Sequence, residues 1–384
     1  MNSSSKSFQH FFSQYKILTL IFAIAVIWAF FGWMSQDWSF LSPRNFSNLL
    51  RQMAITGMLA SGMAFIIIMG EIDLSVGAIL GLLGGIEAIL DHKYNFPMAL
   101  TVSVVILSGI LIGLLNGYLV AYQRIPAFIV TLSGFLAFRG VLLGILNGAT
   151  VSLDSPGLID IGQGYLPIWM GDVLGVIVFA MLATLAFRTR AGRLQHGLSV
   201  APLWQDIAKL ALVAAMIAGF VIMLNKYEGI PIPVLVTLVI LGAFSFLANK
   251  MVFGRRIYSI GSNIEATRLS GVNVRMIKMI VFGMMGLMCA FAGLTTTARL
   301  AAATPNAGTL GELDAIASCY IGGTSSRGGV GTVYGALIGA TIMASLDNGM
   351  SMLGVEAFWQ MVVKGVILLT AVWVDVISGA GSDR

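Results

Sequence analysis

The chain contains 384 residues, of which 58% are hydrophobic and only 10% carry a charge. Soluble domains carry about 25% charged residues, so a water-exposed globular protein is excluded. Disorder is excluded as well, because it requires low hydrophobicity and high charge. The net charge of +5 comes from short basic clusters between apolar runs. Such clusters are typical of orientation signals in membrane proteins. The sequence therefore predicts a polytopic protein of the lipid bilayer, with no nucleic acid as partner.

Apolar runs of about 20 residues are long enough to cross a bilayer as helices. Ten such runs lie at 17–33, 53–70, 74–90, 97–122, 125–146, 168–187, 210–224, 230–247, 279–294 and 358–374. The stretch 313–346 is also apolar, but the glycine-rich segment 322–329 interrupts it. An interruption survives in lipid only where protein or water satisfies the backbone. The prediction is an all-α integral membrane protein with about ten transmembrane helices, plus two half-helices or a re-entrant hairpin at 313–346.

Lysine and arginine residues predict the orientation of the chain. With the N-terminus inside, the inner loops hold thirteen basic residues and the outer loops hold five. An excess of Lys and Arg marks cytoplasmic loops. Residues 1–384 are therefore predicted to form a single transmembrane domain with cytoplasmic tails at 1–16 and 376–384 and a cytoplasmic loop at 248–278. No loop is long enough for a soluble domain, so any motor must belong to another chain.

A short motif recurs in the two halves of the chain. The segment 70–73 reads Gly-Glu-Ile-Asp, and 311–314 reads Gly-Glu-Leu-Asp. The predicted topology places the two copies in opposite orientations, as in the inverted repeats of many transporters. Matches this short also arise by chance in a chain with 45 glycines. An inverted repeat and a chance match both stay open.

Motifs of covalent chemistry are missing from the sequence. It contains no Gly-x-x-x-x-Gly-Lys-Ser/Thr phosphate loop, no His-Glu-x-x-His and no Gly-x-Ser-x-Gly. Its three histidines and two cysteines show no ligand spacing. We expect no enzyme activity, no catalytic residue, no metal site and no cofactor in this chain.

The predicted cytoplasmic loop contains a short helix with signals at both ends. Ser262 stands three residues before Glu265, which is the spacing of a capping box. Gly271 follows the helical run and favours the left-handed conformation that ends a helix. Together they predict a helix of about eight residues, about 12 Å long. Such a helix either docks on a partner or simply joins two spans at the surface.

The same segment resembles the Glu-Ala-Ala-x-x-x-Gly loop of permeases in binding-protein-dependent ABC transporters. Glu265, Ala266 and Gly271 match that pattern, and Thr267 replaces its second alanine. In that family the loop forms a coupling helix that docks on a cytoplasmic ABC ATPase. The resemblance implies that these three matching residues contact the ATPase here. It places two further residues beside the contact, Arg256 and Arg268.

Other motifs are similar to the ribose/xylose/arabinose family of sugar permeases. They lie at 71–77 (Glu-Ile-Asp-Leu-Ser-Val-Gly), 312–317, 321–325, 328–331 and 44–52. The likeness covers roughly residues 40–375, and the segments 345–352, 138–140 and 188–209 are most similar to D-xylose permeases.

This resemblance implies the membrane-spanning subunit of an ATP-driven importer for D-xylose or a related pentose. Its location would be the bacterial inner membrane. Its partners would be a second permease copy, a periplasmic sugar-binding protein and the ATPase.

Charged residues inside apolar segments are costly, at about 2.5–3.5 kcal/mol each at a helix centre. Such residues must face the bundle interior or water rather than lipid. We predict that some of them shape a polar path for a hydroxylated substrate. Two aromatic residues on one predicted helix are further candidates, because their rings can stack on a sugar ring. The path candidates are Glu71, Asp73, Phe128, Phe135, Arg139, Glu312 and Asp314. The alternative is that the acids pair internally with Arg139 or Lys364.

Two other classes of function stay open. One is a proton-coupled secondary sugar transporter in which Glu71 or Asp73 takes up a proton. The other is a membrane scaffold that transports nothing. A capped inner helix favours the ATP-driven subunit, because a proton-driven carrier needs no docking site for a motor.

Overall fold

The computed structural model describes residues 16–200 and 202–380. The outer parts of the predicted tails, 1–15 and 381–384, lie outside the described residues. Nearly all of the regular structure in the described part is helical, which confirms the all-α class. The helices are α1 (Lys16–Met34), α2 (Pro43–Ile68), α3 (Val76–Ala88), α4 (Met98–Ala121), α5 (Ala127–Leu146), α6 (Pro156–Gln163), α7 (Ile168–Gln195), α8 (Leu203–Asn225), α9 (Ile232–Lys250), α10 (Val252–Ser262), α11 (Ile264–Leu269), α12 (Val274–Leu300), α13 (Gly311–Ile321), α14 (Val333–Met352) and α15 (Ala357–Ala380).

Helix α12 defines the two ends of the bundle. Its 27 residues extend about 40 Å at 1.5 Å per residue. The two short helices α10 and α11 precede it, and we call this end of the molecule the short-helix end. The strand β2 (Ala302–Ala303) follows it and pairs antiparallel with β1 (Val151–Ser152). We call that opposite end the ribbon end.

Within the described residues, eight helices are long and apolar enough to cross a membrane, namely α2, α4, α5, α7, α8, α9, α12 and α15. Burial separates central helices from peripheral ones. The most apolar part of α2 is 78% buried and that of α12 is 67% buried. The corresponding parts of α7 and α15 are 6% and 0% buried. The peripheral helices therefore present apolar side chains outward, as lipid contact requires.

Small residues allow the central helices to approach each other closely. Gly109 and Gly113 on α4 lie against the backbone of α12 at Phe282 and Gly286. A methyl group added to Gly113 would collide with the Phe282 carbonyl. Such close approach increases van der Waals packing where burial of apolar surface contributes little, as in a bilayer.

The predicted interruption of 313–346 is confirmed, but the re-entrant hairpin is wrong. The turn between α13 and α14 lies at the short-helix end, where Gly329 N–H donates to the Ile68 carbonyl over 2.7 Å. Tyr258 of α10 donates to the Gly331 carbonyl over 2.8 Å. The chain therefore traverses the whole bundle in both directions. Only α13, with 11 residues, is a half-helix; α14 has 20.

Another interrupted passage lies between α2 and α3. In chain order it is the first passage, and the one that enters α13 through residues 304–310 is the second. Gly70 ends α2 with a left-handed φ of 84°. Residues 71–75 are not helical, so the predicted span 74–90 is helical only from Val76 and finishes in a π-helical turn, Ile89–Lys93. Asp73 stabilises this break, because its carboxylate accepts from the Ser75 N–H at 2.8 Å and from the Ser75 hydroxyl at 2.6 Å.

Both described termini of the chain lie at the short-helix end. Trp28 of α1 donates to Ser345 of α14 over 2.9 Å, and further along Phe31 lies against Gly349. The contacts advance in the same direction, so α1 begins where α14 begins. At the other terminus Asp375 of α15 accepts from the Ser326 N–H over 2.8 Å.

Candidate functional site

The two interrupted passages meet inside the bundle. Gly77, in the first turn of α3, lies against Gly308 and against Glu312 in the first turn of α13. A methyl group on Gly77 would collide with the Glu312 carboxylate and the Gly308 carbonyl. Two helix N-termini therefore converge on one carboxylate, and each carries a partial positive charge. We call this place the crossing.

The two passages run antiparallel through the crossing. Along α3, Gly77 contacts Glu312, and Gly81, one turn further on, contacts the Ala307 carbonyl. The partner number falls as the α3 number rises. Helix α3 of one passage therefore packs antiparallel to the non-helical segment of the other passage. An inverted repeat requires this relationship.

At the crossing, the Glu312 carboxylate can still accept a hydrogen bond. Its side chain is buried, with 7% exposure, and Oε2 has no hydrogen-bond partner among the described residues. A buried acceptor without a donor costs about 1–3 kcal/mol. A ligand hydroxyl or a water molecule is the kind of group that would satisfy it.

Arg139 of α5 fastens the non-helical segment before α13. Its guanidinium donates to the Ala307 carbonyl over 2.6 Å and also contacts the Thr309 hydroxyl. Leu310, the last residue of this segment, has a left-handed φ of 64°, which is strained for a leucine. Arg139 thus holds a strained backbone at the crossing and forms no ion pair within the described residues.

Asp73 and Asp314 have partners of their own. Asp73 is buried, and its carboxylate accepts hydrogen bonds from Ser75. The Ser75 hydroxyl in turn accepts from the side-chain amide of Asn116 of α4 over 3.2 Å. Lys364 of α15 lies 2.9 Å from the Asp314 carboxylate and 2.8 Å from that of Asp347. The predicted alternative of internal pairing with Lys364 is confirmed for Asp314.

The remaining path candidates lie apart from the crossing. Glu71 pairs with Lys278 of α12 at the short-helix end. Phe128 is 57% exposed on the outside of α5, and Phe135 is half-buried on the same helix. Gly77 was not among the predicted path candidates. A glycine in the first turn after an Asp-Leu-Ser break was the signal for close backbone approach.

The short-helix end carries the predicted coupling residues. Arg256, Glu265, Ala266, Arg268 and Gly271 are all exposed there. Glu265 and Arg268 form an exposed ion pair of 2.7 Å, and the neighbouring Leu269 is 83% exposed. A charged pair beside an exposed leucine is a surface suited to contact with another protein.

The predicted capping box is wrong, although the helix exists. Asn263, not Ser262, is the N-cap of α11, and its Oδ1 accepts from the Ala266 N–H over 2.9 Å. Ser262 instead donates to the Tyr258 carbonyl within α10. Asn caps a helix as well as Ser does, so the nearer residue takes the position. The helix has six residues rather than about eight. Gly271 has the predicted left-handed φ, at 84°.

The end of α10 is in direct backbone contact with both neighbouring turns. Gly261 lies against the Ile68 carbonyl at the end of α2 and against the Gly329 N–H in the α13–α14 turn. A methyl group on Gly261 would overlap the Ile68 carbonyl. We call this three-way contact of Gly261, Ile68 and Gly329 the junction. It connects the exposed short helices to the ends of both interrupted passages.

The fold defines a multi-pass membrane protein whose polar groups line interruptions inside the bundle and whose charged short helices face out at one end. The profile of a family described as branched-chain amino acid transport system permease components matches residues 45–372. The chain therefore belongs to this permease family, and the resemblance predicted from its motifs is confirmed.

Individual relatives share most of their length with this chain. The xylose transport system permease protein of Escherichia coli (strain K12) is 52% identical over 94% of this chain and 91% of its own. The corresponding protein of Haemophilus influenzae is 52% identical over 94% and 96%. The ribose import permease protein of E. coli K12 is 33% identical over 92% of each chain. These relatives are transport permeases, not enzymes. No solved structure matches the chain.

Proposed function

We propose that the chain is the membrane-spanning subunit of an ATP-driven, binding-protein-dependent importer for D-xylose or a related pentose. The observation that carries this proposal is the 52% identity to permeases of xylose transport over nearly the whole chain. Identity to ribose permeases is lower, at 32–33%. This difference in identity supports xylose over ribose as the proposed substrate.

In this proposal the short-helix end faces the cytoplasm of a bacterial inner membrane, and both chain termini lie there. An ABC ATPase binds Arg256, Glu265, Ala266, Arg268 and Gly271. The exposed ion pair and the exposed Leu269 support that assignment. The ribbon end faces a periplasmic sugar-binding protein, and a second copy of the chain completes the transporter.

The crossing supplies a polar surface for the sugar. A pentose offers hydroxyl donors, and the Glu312 carboxylate has an acceptor oxygen without a protein partner. Arg139 positions the adjacent segment rather than an acid. Glu71 and Lys278 form an ion pair at the short-helix end, apart from the crossing. Of the aromatic candidates on α5, the half-buried Phe135 stays a candidate for the path, and Phe128, which is 57% exposed, does not.

Movement of the short helices would reach the crossing through the junction. ATP binding draws the ATPase subunits together and displaces α10 and α11. Because α10 contacts Ile68 and Gly329 through backbone atoms, the displacement shifts the ends of both interrupted passages. The crossing then alternates between access from the ribbon end and access from the short-helix end.

Reconstitution distinguishes this proposal from a proton-coupled carrier that uses Glu71 or Asp73. Uptake of radiolabelled xylose is measured in proteoliposomes with the permease alone under an imposed proton gradient. It is then measured with the ATPase, the binding protein and ATP. We expect uptake only in the complete system. Gradient-driven uptake by the permease alone contradicts the proposal.

The coupling assignment has its own test. Glu265→Ala removes one partner of an exposed ion pair, so the fold is expected to remain intact. We expect this variant to hydrolyse ATP in the complete transporter while xylose uptake falls. Glu356→Gln, an exposed acid beyond the far end of α14, is the control and should transport normally. Parental uptake by Glu265→Ala would refute the role of α11.

A further inference from the structure

A cavity of about 390 Å³ opens at the short-helix end between the α4–α5 turn, α11 and the start of α12. Six charged side chains line it, four basic and two acidic. They are Arg124, Arg268, Arg275, Lys278, Glu71 and Glu265. The remaining lining residues are apolar or small. The cavity is thus basic on balance and apolar along part of its wall.

Two of the four cations have no acidic partner. Lys278 pairs with Glu71, and Arg268 pairs with Glu265. Arg124 and Arg275 form no ion pair within residues 16–200 and 202–380. Both acids of the cavity are therefore already engaged, and two guanidinium groups face it with unneutralised charge.

The backbone at Arg124 is also unusual. Its φ of 59° is in the left-handed region, which costs a non-glycine residue about 1 kcal/mol. The tight α4–α5 turn imposes that conformation and places Arg124 in the cavity wall. A residue held in a strained conformation at a cavity often has a binding role.

We propose that this cavity binds the phosphate of an anionic phospholipid headgroup through Arg124 and Arg275. Guanidinium groups match phosphate oxygens in a bidentate geometry. Basic pockets between transmembrane helices on the cytoplasmic side are typical sites for anionic headgroups.

The surroundings favour a lipid over a soluble anion or an acidic side chain of the ATPase. The cavity includes the short turn between two spans, and that turn enters α5 through apolar residues. Tyr122 and Ile125 in the turn are 38% and 36% exposed, and Phe128 beyond it is 57% exposed. Acyl chains can lie on these apolar side chains while the headgroup occupies the cavity. A soluble anion would make no use of them.

The test uses the full-length permease in nanodiscs of phosphatidylcholine that contain spin-labelled phosphatidylglycerol. Spin-labelled phosphatidylcholine is the reference, and electron paramagnetic resonance gives the preference for the anionic lipid. Arg124→Gln/Arg275→Gln removes the two unpaired charges. Arg124→Lys/Arg275→Lys keeps them, and Arg188→Gln/Arg193→Gln removes two exposed arginines of α7.

We expect the double Gln variant to lower the preference for phosphatidylglycerol roughly 10- to 30-fold, because it removes two guanidinium contacts to one phosphate. The Lys variant should keep most of the preference, and the α7 control should keep all of it. An unchanged preference in the double Gln variant overturns the proposal. An equal loss in the control overturns it as well.

Two further measurements separate the sources of the anion. Displacement of the labelled lipid by millimolar inorganic phosphate would show a soluble-phosphate site and overturn the lipid proposal. Loss of ATPase assembly in the double Gln variant at unchanged lipid preference would show an ATPase contact and overturn it too. These readouts on the isolated permease do not depend on which sugar the transporter carries.

Discussion

The two interrupted passages are held in different ways. In the first, the Asp73 carboxylate holds the break through Ser75, two residues away, and Asn116 of α4 donates to the same Ser75 hydroxyl. In the second, Thr309 donates to the Asn306 carbonyl within the segment, and a cation from another helix, Arg139 of α5, holds it at Ala307. No side chain caps α13 within the described residues, and Leu310 before it is strained.

This difference assigns a separate role to each passage. A break stabilised by its own neighbouring residues keeps its shape when surrounding helices move. A strained break held by one residue of another helix changes shape when that helix moves. We expect the first passage to be the fixed wall of the crossing and the second to be the mobile one. Four substitutions test this comparison, beginning with the largest expected effect.

The contact between the passages is most sensitive to added volume at Gly77. Gly77→Val places methyl groups where the Glu312 carboxylate and the Gly308 carbonyl already lie. Overpacking costs about 1–3 kcal/mol, and more where the opposing atoms are backbone. We expect a lower melting temperature of the purified permease and loss of uptake. Gly140→Val on α5, where no atom lies within 4 Å, is the control. Equal melting temperatures for the two variants would show that the passages are not in tight contact.

The second passage depends on Arg139. Arg139→Ala frees the Ala307 carbonyl and the Thr309 hydroxyl. Hydrogen bonds from a charged donor are worth about 1.5–3 kcal/mol, so uptake should fall roughly 10- to 100-fold. Arg139→Lys should restore part of the rate. ATP-driven xylose uptake by the complete transporter measures the effect. A rate unchanged by Arg139→Ala would mean that the segment holds its own shape, as the first passage does.

The unpaired oxygen of Glu312 should affect transport more than stability. Glu312→Gln replaces the charged carboxylate by a neutral amide, so a sugar hydroxyl exchanges a hydrogen bond worth about 1.5–3 kcal/mol for one worth about 0.5–1.5 kcal/mol. We expect the maximal uptake rate at saturating binding protein to fall roughly 3- to 10-fold, with little change in melting temperature. The exposed Glu356→Gln is the matched control. A full rate in Glu312→Gln would remove this residue from the path.

The smallest effect is expected at Asp73. Asp73→Asn keeps an acceptor oxygen for the Ser75 N–H, so stability should fall by less than about 1 kcal/mol. Uptake should stay near the parental rate. The substitution also removes one of the two carboxylates in this break, the other being Glu71, and a proton-coupled carrier that used Asp73 would lose uptake. Thermal unfolding and uptake of the same preparation give both answers.

Much of the fold could be predicted because hydropathy is a local property. Runs of apolar residues located the peripheral helices, and the glycine-rich segment 322–329 located a real turn. The path of that turn could not be predicted, because a hydrogen bond from Gly329 to Ile68 depends on residues far apart in sequence. A hairpin that turns back inside the membrane and one that crosses it have the same hydropathy.

The site was predicted in composition but not in arrangement. The seven path candidates divide among the crossing (Arg139 and Glu312), the break before α3 (Asp73), the ion pair with Lys364 (Asp314), the short-helix end (Glu71) and α5 (Phe128 and Phe135). Partners such as Lys278 and Thr309 were invisible, since nothing local distinguishes a lysine that pairs with Glu71 from one that marks orientation. Glu87 was missed entirely. It lies in the apolar run 74–90, and it is buried with neither carboxylate oxygen hydrogen-bonded within the described residues.

Direct backbone contact at the junction limits how the three segments can move relative to one another. Side chains normally absorb small shifts between helices by changing rotamer, but Gly261 has none, and its neighbours there are main-chain atoms of residues 68 and 329. A displacement of one of the three segments must therefore move the other two by nearly the same distance. Even the one carbon atom that an alanine adds at 261 would push the three segments apart. We expect such a variant to insert in the membrane but to lose the coupling between ATP hydrolysis and transport.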